Sequence, residues 1–209
     1  MTPALARALR LIVITDTGLA APRSVVEVVA AALAGGAKAV QLRNKGESAR
    51  ELMAVGTELR ARTRQAGALL FVNDRMDVAL ALGADGVHLG PADLPVAAVR
   101  RHAPPGFLVG RSADDPLVAR TAVADGADYI GCGTVYATTT KADAGDVIGL
   151  EGLRAVVEAV AVPVVGIGGI TAARAPEVVG TGAAGVAVVG AVMAAADPAA
   201  VVGEFLGAF

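Results

Sequence analysis

The 209-residue sequence holds a single cysteine, Cys132, which excludes an internal disulfide and any cysteine-rich metal site and suits a reducing cytoplasm. Cys132 itself sits in the run "YIGCG" and reads as a small apolar strand residue. Charge is scarce as well: Asp, Glu, Lys and Arg make up 18% of the chain, and the formal net charge is -2. There is no basic field of the kind that draws a protein to nucleic acid or an anionic membrane surface, so small molecules are the expected ligands. Histidine is limited to His88 and His102, which lack metal-ligand spacing. His88 falls in a strand, where a hydrogen-bonded structural role and a catalytic base are both open; His102 is expected at the surface near a helix end. A Ser-His-Asp arrangement, a GxGxxG motif opening the first crossover and a Walker loop are all missing, which leaves nucleotide cofactors without support.

Long apolar segments are also few. Arg7 and Arg10 precede an apolar run, but Leu11 to Ile14 is far shorter than the apolar region of a signal peptide and stops at Thr15 and Asp16. The stretch "VVGTGAAGVAVVGAVMAAA", Val178 to Ala196, is uncharged over about the length of a membrane span. Four glycines interrupt it, it has no Leu, Ile or aromatic residue, and no Lys or Arg stands close beside either end. A buried strand running into a buried helix is the expectation there.

What the chain does have is rhythm. Short β-branched runs recur at "LIVIT", "AVQLR", "LLFVN", "GVHLG", "FLVGR", "YIGCG", "PVVGIGG" and "GVAVVG", separated by Ala-rich stretches with helical spacing of polar residues. Runs apolar on both faces, joined by helical crossovers, imply a parallel sheet covered by helices. Eight such units in 209 residues predict one α/β domain over residues 1–209, a closed (β/α)8 TIM barrel, with a doubly wound open sheet as the runner-up. The stretches "GGAKAVQLR", "LGADGVHLG", "DGADYIGCG" and "TGAAGVAVV" echo one another before every second strand, as in a barrel built from four similar quarters. Gly after a helix supplies the left-handed turn into the next strand.

In such a barrel the functional groups stand at the carboxyl ends of the strands. That end collects Gln41, Arg43 and Lys45 after the second strand, Asn73 and Asp74 after the third, Asp93 after the fourth, and Arg111 and Ser112 at the fifth. The sixth opens into "GTVYATTTKADAG", Gly133 to Gly145, where three threonines and Lys141 crowd one loop. Hydroxyls, backbone N–H groups and a cation in that place can enclose a phosphate. "GIGGIT" and "VVGAV", after the seventh and eighth strands, hold the usual phosphate position of barrel enzymes, with backbone amides and a helix N-terminus facing the ligand. Asp74 and Asp93 fit two alternatives: carboxylates that hold Mg²⁺ together with substrate phosphates, or caps of the helices that follow them. Asp77 is expected to interact with its own helix or with solvent.

Together "VQLRNK", "VNDRMDVALALGADGVHLGPADLP", "GRS", "DYIGCGTVYATTTKADAG", "GLEGL", "VPVVGIGGI" and "GVAVV" resemble the successive signatures of the thiamine phosphate synthase family, in its order and over nearly the whole chain. The resemblance implies a transferase that joins a hydroxymethylpyrimidine diphosphate to a thiazole phosphate and releases pyrophosphate. It implies that Gln41, Leu42, Arg43, Asn44, Lys45, Asn73, Ser112 and Lys141 bind the pyrimidine diphosphate. Arg43, Lys45, Ser112 and Lys141 carry catalysis in that reading, and Asp74 and Asp93 hold Mg²⁺. Thr138, Thr139, Thr140, Gly169, Val189 and Gly190 would enclose the thiazole phosphate.

Three positions depart from the family pattern: Asn44 stands where an acidic residue is usual, "GRSADD" lacks the Thr-His that commonly follows Ser112, and Gly190 replaces a frequent serine. The competing functions are a thiazole tautomerase, which needs a histidine base absent from the loop after the sixth strand, a non-catalytic barrel that binds thiamine precursors, and a sugar-phosphate isomerase or epimerase. The expected setting is a cytoplasmic enzyme with small-molecule substrates, no nucleic acid and no membrane; a homo-oligomer is compatible with the sequence.

Overall fold

A computed structural model of the chain describes residues 3–44, 46–138 and 146–209. Eight parallel strands, β1 (Leu11–Ile14), β2 (Ala39–Leu42), β3 (Leu69–Asn73), β4 (Gly86–Leu89), β5 (Leu108–Ser112), β6 (Tyr129–Cys132), β7 (Val164–Ile167) and β8 (Gly185–Val188), pair in chain order. The ring closes where β8 pairs with β1, with Ile12 opposite Ala187. The open-sheet alternative is thereby excluded, and the expected TIM barrel is the fold.

Strand residues alternate between two apolar layers. Ile12, Ile14, Ala39, Phe71, Tyr129, Val165 and Ala187 fill the barrel interior. Their neighbours Leu11, Val13, Val40, Leu42, Leu70 and Val72 face outward and pack under the helices. Burial of both faces is what makes the runs continuously apolar rather than alternating. Room inside is made by Gly110, where a Cβ would collide with the Tyr129 ring. A short N-terminal helix, α1 (Pro3–Ala8), has no counterpart in the strand rhythm; its Leu5 packs against the interior cluster beside Leu9.

The crossover helices start where local chemistry starts them. Ser24 and Glu27 form a capping box at the head of α3 (Val25–Ala34), and Ser48 and Glu51 form another at α4 (Ala49–Ala66), each side chain accepting from the other's backbone N–H. These bonds also hold the Glu27 and Glu51 carboxyls below the usual carboxylate range. Helix α4 buries Leu52, Gly56, Leu59 and Thr63, one stripe at helical spacing. Asp115 caps α7 (Pro116–Ala124), and Asp197 caps α11 (Pro198–Leu206), each followed by Pro at the first turn.

The quarter-barrel echo has a structural reason. Gly36, Gly83, Gly126 and Gly182 all take positive φ before their strands. In the two "GAD" copies the aspartate does the same work: Asp85 Oδ2 accepts from Leu70 N at 2.7 Å and pairs with Arg60, while Asp128 Oδ2 accepts from Val109 N at 2.7 Å and pairs with Arg100. Each clip ties the start of a strand to its predecessor. Among the described residues no helix is long and apolar enough to cross a membrane. The uncharged stretch from Val178 instead contains buried β8 running into α10 (Gly190–Met193).

Candidate active site

The second strand delivers its polar residues through a hydroxyl clamp. Thr15, fully buried beyond β1, accepts from Arg43 N at 2.8 Å and donates to Arg43 O at 3.1 Å, and its own N–H reaches Gln41 O at 3.0 Å. Arg43 therefore leaves the barrel from a backbone held at both polar groups. It borders a cavity of about 380 Å³ shared with Leu42, Asn44, Glu47, Asn73, Asp74 and Arg75. Leu42 is buried under the helix layer and forms an apolar wall. Asn44 donates to Glu47 Oε1 at 2.9 Å, so the carboxylate missing at position 44 is present one short turn later. Asn44 Oδ1 and Glu47 Oε2 are buried with no hydrogen-bond partner among the described residues, leaving two acceptors at this cavity wall.

The two aspartates meet at a glycine. A Cβ on Gly90 would fall 3.0 Å from Asp93 Oδ2 and 4.0 Å from Asp74 Oδ1, so both carboxylates flank one open point of the chain. Asp93 Oδ2 accepts from Gly90 N at 2.6 Å. Helices α5 (Met76–Leu82) and α6 (Val96–His102) have Arg75 and Pro95, not the aspartates, at their N-cap positions, and neither of those two side chains makes a cap bond. Asp74 adopts φ 62°, left-handed for a residue with a side chain, with its N–H bonded to His88 O at 2.8 Å. Such backbone strain clusters at functional sites. Arg111 donates to the carbonyls of Gly90 and Pro91, so its charge braces this loop. Asp77 is exposed and pairs with Arg75 at 2.6 Å, within its own helix start as expected. No group of three or more His, Cys, Asp or Glu suited to a metal occurs among the described residues. Two carboxylates are hard oxygen ligands of a kind that would fit Mg²⁺, an ion usually held by one or two carboxylates with its other ligands from elsewhere.

A hydrogen-bond chain crosses the barrel beneath the mouth. Tyr129, 1% exposed, lies with its hydroxyl 3.0 Å from His88 Nδ1, and His88 Nε2 is 2.9 Å from Ser112 Oγ. Burial pushes the phenol well above its ordinary pKa, partly offset by a hydrogen bond from Gln41 that favours the phenolate. Tyr129, His88 and Ser112 thus form one chain, in which each donor and acceptor role follows from which ring nitrogen of His88 carries the proton. His88 is hydrogen-bonded at both ring nitrogens, and His102 is exposed in the last turn of α6.

The loops after β6, β7 and β8 form the other side of the mouth. Asp114 accepts from Gly133 N at 2.8 Å at the root of the loop after β6, the position at which "GRSADD" departs from the family. Val135 N and Tyr136 N then bond to Ile167 O and Gly168 O. A Cβ on Gly169 would lie 2.6 Å from Ala137 O and 2.7 Å from Tyr136 O, so only glycine lets the two loops touch. Thr138 follows directly, and Val189 and Gly190 lie on the adjacent loop where α10 begins. Lys45, Thr139, Thr140 and Lys141 lie outside the described residues. The residues that sequence reasoning missed are Thr15, Glu47 and Tyr129; a lone threonine ending the first strand was the one visible signal.

Fold and site define a barrel protein whose described candidate residues stand at one mouth, acidic on the side of β3 and β4 and glycine-lined on the side of β7 and β8. The model of the thiamine monophosphate synthase family matches residues 11–192. The thiamine-phosphate synthase of Moorella thermoacetica is 51% identical over 190 residues, covering 91% of this chain and 90% of that one. That of Chloroflexus aurantiacus is 53% identical over 188 residues, with 90% and 87% covered. A solved thiamine phosphate pyrophosphorylase from Pyrococcus furiosus superposes with a TM-score of 0.89 at 46% identity, over 98% of this chain and 96% of that one. A 3-hexulose-6-phosphate synthase, at 24% identity and a TM-score of 0.67, shares the fold. The chain belongs to the thiamine monophosphate synthase family, and it is a transferase.

Proposed function

We propose that the protein condenses 4-amino-2-methyl-5-(diphosphooxymethyl)pyrimidine with thiazole phosphate, giving thiamine phosphate and pyrophosphate. The observation that carries this reading is the convergence of Asp74 and Asp93 on Gly90 at the edge of the cavity that Arg43 and Asn73 line. A diphosphate needs such a mixture: cationic and amide donors for its oxygens and carboxylates for its counter-ion. Asp74 and Asp93 would hold Mg²⁺, which supplies neutralising charge to the diphosphate when bound.

The reaction is a substitution in which the C–O bond to the diphosphate breaks and takes its electron pair with it. Arg43, Lys45 and Lys141 gather the charge appearing on the leaving group, and the Ser112 hydroxyl donates to one of its oxygens. The pyrimidine-stabilised cation left behind is captured by the lone pair of the thiazole nitrogen. No side chain needs to act as a nucleophile; preorganised charge supplies most of the rate. Thr138, Thr139, Thr140, Gly169, Val189 and Gly190 hold the thiazole phosphate, which keeps the nitrogen in line. At Gly190 only a backbone N–H contributes, because the frequent serine is absent. The cytoplasm, to which the single cysteine is suited, is the setting we infer.

The test is pyrophosphate release with Mg²⁺ and each substrate alone or together. Release that needs all three components supports the synthase. Thiazole isomerisation without pyrophosphate would instead mark a tautomerase, and binding of either precursor without turnover a binding barrel.

A further inference from the structure

We infer that Arg174 and Tyr136 form a clamp that sets the thiazole-phosphate loop, an inference resting on the function proposed above. Arg174 stands just before α9 (Ala175–Val179), in the segment after β7. One of its nitrogens, Nη1, donates to Gly169 O at 3.1 Å. The same guanidinium lies over the Tyr136 ring, 4.5 Å from its centroid. Tyr136 is in turn held three ways: its N–H bonds to Gly168 O at 3.0 Å, its ring faces Arg174, and its hydroxyl donates to Glu177 Oε2 at 2.9 Å. Burial and the Glu177 carboxylate both raise the Tyr136 pKa, which keeps that hydroxyl a donor.

These contacts lock two loops that are far apart in sequence. Tyr136 is two residues before Thr138, and Gly169 packs against the Tyr136 and Ala137 carbonyls with no space for a Cβ. A shift of Tyr136 relative to Gly169 would therefore move Thr138 away from the glycine amides that share its phosphate. Arg174 does this through position: its guanidinium is already committed to a carbonyl and an aromatic face.

The test is a double-mutant cycle on steady-state kinetics, with Arg174→Ala, Tyr136→Leu and the double variant, and Arg174→Lys and Tyr136→Phe as conservative changes. Each single change is expected to raise KM for thiazole phosphate by about three- to tenfold, with KM for the pyrimidine diphosphate and kcat within about twofold. The double variant should be no worse than the more damaging single one, because either change opens the clamp. Lysine at 174 should restore part of the loss through its charge over the ring, and phenylalanine at 136 most of it. Melting curves for each variant show whether the fold is kept. Additive losses, or equal increases in both KM values, would overturn the clamp while leaving the synthase reading in place. A wild-type protein that neither binds thiazole phosphate nor forms product would overturn both.

Discussion

The carboxylate pair allows stability and chemistry to be separated by single atoms. Asp74→Asn and Asp93→Asn each replace an anionic oxygen with an amide of the same shape. At Asp93 the bond from Gly90 N, 2.6 Å long, changes from charge-assisted to neutral, a loss of about 1 kcal/mol. That predicts a melting temperature lower by roughly 2–4 °C for a chain of this size. At Asp74 the backbone φ of 62° is one that Asn tolerates as well as Asp does, so the backbone adds no cost of its own to that substitution. Asp74→Ala, by contrast, should cost about 1 kcal/mol or more, because alanine has no local bond to offset the left-handed conformation. Activity should not follow this order. If both carboxylates hold Mg²⁺ against the diphosphate, all three variants should lose on the order of a hundredfold or more in turnover, equivalent to about 2.7 kcal/mol of transition-state stabilisation. The assay is pyrophosphate release across a Mg²⁺ titration, with calorimetric melting on the same samples. Wild-type rates for both asparagine variants at every Mg²⁺ concentration would refute the metal reading and return the aspartates to loop structure.

Valine at both Thr138 and Thr140 should raise KM for thiazole phosphate more than KM for the pyrimidine diphosphate, since donors to the phosphate are lost and loop shape is kept; equal effects would show the loop is misassigned. Lys141→Ala should reduce the single-turnover rate of thiamine phosphate formation at saturating Mg²⁺ and substrates by on the order of a hundredfold, with Lys141→Arg recovering part; an unchanged chemical rate with a weaker Kd would make it a ground-state anchor. Tyr129→Phe strands the polar groups of Gln41 and His88 at about 1–3 kcal/mol, which differential scanning calorimetry reads as a fall of roughly 2–12 °C, and an unaltered melting temperature would contradict the buried chain. Cys132, whose thiol is pushed up to about 12 by burial and the nearby Asp114 charge, should stay protonated at pH 8 and react with iodoacetamide only after denaturation, as mass spectrometry would show.

The sequence alone determined a parallel sheet of eight strands under helices, because each strand of a sheet buried on both faces must be a short continuous apolar run; closure into a ring rather than an open sheet was decided by the pairing of β8 with β1. The sequence also gathered the candidate residues at one end, since Asn73 and Ser112 finish strands and Asp93 follows one. Tertiary structure decided what those residues touch. That Asp74 and Asp93 both approach Gly90 depends on how the loops after β3 and β4 meet, which no local pattern encodes. The Thr15 hydroxyl that holds Arg43 spans 28 positions, and the Tyr129–His88 bond spans 41. Asn44 looked like a lost acidic group until the fold returned a carboxylate through Glu47. Periodicity reports which face of an element is buried; the contacts made across the mouth depend on how distant loops meet once the ring has closed.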